Sequence, residues 1–69
     1  MFIFIEDYKG SQCKMPHALN LAHMRSFYLG TDARVYFEHG DTWETFTFES
    51  QEDALFAYQS IVGMIKALQ

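Results

Sequence analysis

Cysteine occurs once in this 69-residue chain, at Cys13, and a single thiol cannot close an internal disulfide. Stability therefore has to come from packing or self-association, because the chain lies near the lower size limit for a self-sufficient apolar core. Proline also occurs once, at Pro16, and the four glycines (Gly10, Gly30, Gly40, Gly63) lie far apart. They build no phosphate-cradling loop and no flexible linker. Basic residues are scarce: five Lys and Arg against nine Asp and Glu leave a formal charge of −4. Lys9, Lys14, Arg25, Arg34 and Lys66 are scattered, so direct nucleic-acid binding is not expected. Long apolar runs are missing too. The opening "FIFI" meets Glu6 and Asp7 at once, too short for a signal-peptide core and far from the roughly 20 apolar residues of a membrane span. The expectation is one domain over residues 1–69, cytoplasmic and without membrane association.

Aromatic side chains, by contrast, are abundant: seven Phe, four Tyr and one Trp. Each large ring hides roughly 150–250 Å² when buried. A domain this small exposes a high fraction of its surface, so some rings should stay partly outside as a binding or oligomeric face.

Residue type places strands at about 2–8, 11–15, 23–29, 33–38 and 42–48. Gly10 can take a positive φ in the turn after the first strand, and Pro16 ends the second or opens a helical turn. Two readings of the next segment are open, a short helix over 17–23 and an irregular loop. "ARVYFE" and "TWETFTF" form a hairpin around His39-Gly40-Asp41. A two-residue His39-Gly40 loop of type I′ pairs Glu38 with Asp41, Phe37 with Thr42 and Tyr36 with Trp43. Val35, Phe37, Phe46 and Phe48 then share one side, and Tyr36, Trp43, Thr45 and Thr47 the other. A three-residue loop would instead move Trp43 to the side of Val35 and Phe37.

Residues 51–68 read as a helix capped by Ser50, with Glu49, Glu52 and Asp53 at its positive end and Lys66 near its negative end. Ala54, Leu55, Tyr58, Ile61, Val62, Ile65 and Leu68 form an apolar stripe to seat on the sheet. The opposite side carries Phe56, Gln59, Ser60, Gly63 and Ala67, where an ordinary solvated helix has Lys and Glu. Gly63 costs about 1 kcal/mol relative to Ala inside a helix. This face is either drift on a small surface or a contact with another copy or another protein.

The sequence carries no catalytic or metal signature. Cys13, His17, His23 and His39 match no zinc spacing, and no CxxC or HxxxH pair exists. Cys13 lacks an accompanying oxyanion-hole pattern for nucleophilic work. The acids Glu6, Asp7, Glu38, Asp41 and Glu44 suit a wet surface better than a desolvated acid–base pair. No cofactor and no enzyme activity are expected.

In layout the chain resembles small bacterial and prophage-encoded proteins typified by the flagellar FlbD-like family. The likeness rests on the apolar first strand, the "YKGSQ" turn, and the hairpin "ARVYFEHGDTWETFTFES" leading into a capped helix. It departs in the inserted "HALNLAHMRS", in aromatic density and in its longer apolar helix. The resemblance implies a small regulatory or adaptor role and carries over no functional residue.

The expected fold is α+β: a bent antiparallel sheet of four to five short strands against one C-terminal helix. The expected role is a non-catalytic protein-interaction or regulatory module that self-associates, as a dimer. The contact would be the outer helix face (Phe56, Ser60, Gly63, Ala67) or an exposed sheet edge, with Tyr36 and Trp43 as anchors. Two alternatives are an acidic phage-type inhibitor and a small nucleic-acid-binding sheet protein. In the inhibitor, Glu6, Asp7, Glu38, Asp41 and Glu44 would stand in for phosphates.

Overall fold

A computed structural model describes residues 2–14 and 17–68. Five strands and one helix follow in chain order: β1 (Phe2–Phe4), β2 (Ala18–Asn20), β3 (Met24–Leu29), β4 (Arg34–His39), β5 (Thr42–Thr47) and α1 (Gln51–Ala67). The α+β expectation holds, but the strands divide into two antiparallel sheets, β1-β2 and β3-β4-β5.

The division follows from where the second strand falls. Over 11–14 the chain makes only an isolated bridge, Ser11 to Phe48, supported by the Gln12 amide donating to the Thr47 carbonyl at 3.0 Å. The strand expected at 11–15 is therefore corrected to 18–20, where Leu19 pairs with Ile3 and both are buried. Met15 and the proposed strand end at Pro16 lie outside the described residues. The stretch read as a helix or loop at 17–23 is strand β2 followed by a single 3-10 turn, Leu21–His23. Asn20 opens that turn by accepting the Ala22 amide at 3.1 Å. β1 is also shorter than its apolar run, because a 3-10 turn over Ile5–Asp7 swings Ile5 into the core.

The hairpin has a two-residue loop, but the loop is Gly40-Asp41, with His39 paired to Thr42, Glu38 to Trp43, Phe37 to Glu44 and Tyr36 to Thr45. Gly40 has φ +58 while Asp41 does not enter positive φ, the pattern of a type II′ turn, which wants glycine first. The expected Tyr36–Trp43 pairing is thus corrected. Sliding the loop by one residue shifts each pairing by two, so side-chain facing is unchanged. Val35, Phe37, Phe46 and Phe48 are all buried, as expected.

These four residues form the floor of the core, and α1 lies across it over β3 and β4. The helix seats on small residues: Ala54, Ala57 and Ile61 are fully buried. Alanine at the contact lets the helix approach closely while the phenylalanine rings fill the space from the sheet side. The expected stripe holds at Ala54 and Ile61, with Tyr58, Val62 and Ile65 half-buried, and is corrected at its margins. Ala57 turns inward, whereas Leu55 and Leu68 of that stripe are exposed. Around the seat, Phe27 stacks on Tyr58 with centroids 5.0 Å apart, and Phe37 meets Phe46 edge-on at 5.5 Å. Ser50 caps α1 by accepting the Asp53 amide at 3.1 Å.

Candidate protein-interaction surfaces

Strand alternation decides which side chains α1 cannot cover. With Val35, Phe37 and Phe46 turned inward, the far side of the three-stranded sheet presents Ser26 and Tyr28 from β3. Arg34, Tyr36 and Glu38 come from β4, and Trp43, Thr45 and Thr47 from β5. Tyr28 stacks on Tyr36 at 4.7 Å with planes 13° apart, and meets Trp43 edge-on at 5.6 Å. The three rings form one cluster. Trp43 keeps 50% and Tyr28 46% of their surfaces in solvent. The Tyr36 hydroxyl donates to the Asp32 carboxylate at 3.1 Å, which also takes the Arg34 guanidinium at 3.3 Å. Half-exposed Trp and Tyr rings with polar tips are the side chains that anchor interfaces. The sequence pointed to Tyr36 and Trp43. That Tyr28 joins Trp43 in the same cluster depends on the β3 register, which no local pattern encodes.

The outer helix surface is the second candidate. Phe56 is 62% exposed, Leu55 is 40% exposed, and Gly63 and Ala67 are open to solvent. Nothing lies within 4 Å of the position a Gly63 methyl would take. Ser60 is half-buried, so the strip is narrower than expected. Lys66, placed by sequence only as a helix-end cation, is exposed and also lines a shallow depression with Arg25, Phe27 and Val62. Phe2 and Phe4 add exposed rings on β1.

A third feature lies where the two sheets meet. All three histidines of the chain line a cavity of about 230 Å³, with Glu44 at the polar end and Phe2, Leu19, Met24 and Phe37 among its apolar walls. His17 Nε2 lies 3.2 Å from Glu44 Oε1, and His39 Nε2 lies 3.0 Å from Oε2. The His17 amide donates to the Glu6 carboxylate at 3.1 Å, and its ring meets Phe46 edge-on at 5.2 Å. This is a clasp that ties the start of β2 onto β5. Its volume falls below the roughly 300–1,000 Å³ of ordinary ligand pockets. Among the described residues no group of three or more His, Cys, Asp or Glu is arranged to hold a metal ion. Cys13 lies elsewhere, in a shallow depression with Gln12, Thr45 and Phe46.

The five acids considered as phosphate stand-ins do not form one row. Glu38 and Glu44 project from opposite sides of the sheet, and Glu44 and Glu6 are engaged by His17. Burial, with the Asp7 carboxylate beside it, pushes the Tyr8 phenol above its ordinary value. No helix among the described residues is long and apolar enough to cross a membrane.

No protein-family model matches the chain, and neither the curated proteins nor the solved structures yield a match.

Proposed function

We propose that the protein is a small, non-catalytic interaction module that self-associates as a dimer, in a regulatory or adaptor role and in the cytoplasm. The observation that carries this reading is the Tyr28–Tyr36–Trp43 cluster, half in solvent on the sheet face away from α1. A ring cluster already ordered by its own stacking loses little side-chain freedom on docking, which is the main cost of immobilising an interface. The helix strip at Leu55 and Phe56 gives a second apolar surface for a different protein partner.

Sedimentation equilibrium of the whole chain tests the reading. A mass rising from the 8.1 kDa monomer toward twice that value with concentration is expected. A monomer mass at every concentration up to the millimolar range would overturn it. Association that collapses steeply with added salt, seen only with a basic nucleic-acid-handling partner, would favour the acidic-inhibitor alternative instead.

A further inference from the structure

We infer that the partner of the aromatic sheet face is a second copy of the same face, related by a twofold axis that crosses the strands at the level of Tyr36. This rests on the self-association proposed above and assigns it a surface and a geometry.

β4 is the central strand of its sheet, and Tyr36 is the middle one of its three outward residues. Its neighbours on that face carry opposite charges, Arg34 two residues before it and Glu38 two residues after. An axis running across the strands at Tyr36 lays β4 antiparallel over β4 of the other copy. Arg34 of each copy then meets Glu38 of the other, twice over, as an isologous interface requires. An axis running along the strands would instead set Arg34 against Arg34 and Glu38 against Glu38. The charges select the first arrangement.

Between the charged ends lie Tyr28, Tyr36 and Thr45, which pair at one level in the sheet and so meet their own counterparts. The Trp43 indole leans across β4 to reach Tyr28, so it lies within the face and is covered in the pair. The two sheets would cross at about 30°, the usual angle of aligned sheets.

Size sets the strength. Three strands of six residues cover about 20 Å by about 14 Å. That is on the order of 300 Å² in plan, below the roughly 800 Å² per partner of a standard interface even after side-chain relief is added. The dimer is accordingly weak and reversible.

The experiment follows from the charge arithmetic. Arg34→Glu leaves the face with Glu at both positions, and Glu38→Arg leaves it with Arg at both. Each single variant should lose self-association on the order of tenfold or more. An equimolar mixture of the two should form a heterodimer, and the double variant R34E/E38R should dimerise like the parent chain. Circular dichroism checks that each variant is folded. In parallel, acrylamide quenching of the one tryptophan in the unmodified chain should fall as concentration rises, because Trp43 becomes covered. A parent chain that dimerises while both single variants dimerise equally well, or while Trp43 stays equally quenchable, would overturn this geometry and leave self-association standing. A parent chain that is monomeric throughout would overturn both.

Discussion

The side chain of Gln51 holds the backbone of Ala33: its Oε1 accepts the Ala33 amide at 2.7 Å, while its Nε2 donates to the Gly30 carbonyl at 2.7 Å. Ala33 has φ +59, a left-handed conformation that costs a non-glycine residue roughly 1–2 kcal/mol. Its carbonyl also accepts the Phe48 amide at 2.8 Å. The first residue of the helix thus fixes the turn between β3 and β4, and with it the spacing of Tyr28 and Tyr36. Gln51→Ala should destabilise the fold by about 1–2 kcal/mol, since two hydrogen bonds are lost at once. Urea unfolding measures the change, and a shift below a few tenths of a kcal/mol would show that the turn holds itself.

Ile61 and Phe56 separate the two sides of the helix. Ile61 is fully buried, and Asp in its place would put an unpaired charge into the core. Ile61→Asp should abolish cooperative unfolding in thermal circular dichroism. Phe56→Glu, on the solvent side, should stay within about 0.5 kcal/mol of the parent. A folded Ile61→Asp variant would mean the helix seats on a different face.

Gly10 has φ +79, and a methyl there would run into the Asp53 side chain at the start of α1. Its carbonyl accepts the Glu49 amide at 2.8 Å, so the turn cannot easily move away. Gly10→Ala should cost about 1–3 kcal/mol, combining left-handed strain with overpacking. Gly40→Ala isolates the first effect, because φ is +58 there and nothing lies within 4 Å. It should cost less than Gly10→Ala in the same urea titration, and the reverse order would refute the close approach of Gly10 to α1.

Tyr8 gives the fold an alkaline limit. Burial, and then Asp7, raise its phenol above the ordinary value near 10. The raised group contributes stability that is present in full below the unfolded-state pKa and lost as pH rises through the folded one. Stability should therefore fall above about pH 10 in the parent. Tyr8→Phe should remove part of that fall without changing the slope at neutral pH. Urea midpoints taken across the alkaline range decide it, and parallel curves for the two proteins would rule the group out.

The readable parts of the sequence were those in which a local pattern and the tertiary structure ask for the same thing. Alternation in β4 and β5 identified Val35, Phe37, Phe46 and Phe48 as core, and Ser50 marked the helix start. β2 was hidden because "ALN" carries no β-branched residue; pairing Leu19 to Ile3 overrides its weak propensity. The helix stripe was legible at Ala54 and Ile61 but not at its margin, because alanine contributes little to an apolar pattern, yet Ala57 is what permits the close seat. Within the candidate site, Tyr36 and Trp43 were legible from alternation alone. Tyr28 and the Arg34–Glu38 symmetry required the register of three strands, which no short-range pattern encodes. The convergence of His17, His39 and Glu44 was likewise invisible, since sequence distance says nothing of where two sheets touch.

β3 is one border of its sheet, and its pairing slips between Met24 and Ser26, leaving Arg25 as an extra residue. That kink twists the border and sets a guanidinium beside it, two of the devices that keep strands from adding neighbours without end. Crowding this protein should therefore leave the solution clear. A variant that straightens the border, with Arg25 deleted, is the one we expect to thicken into fibres.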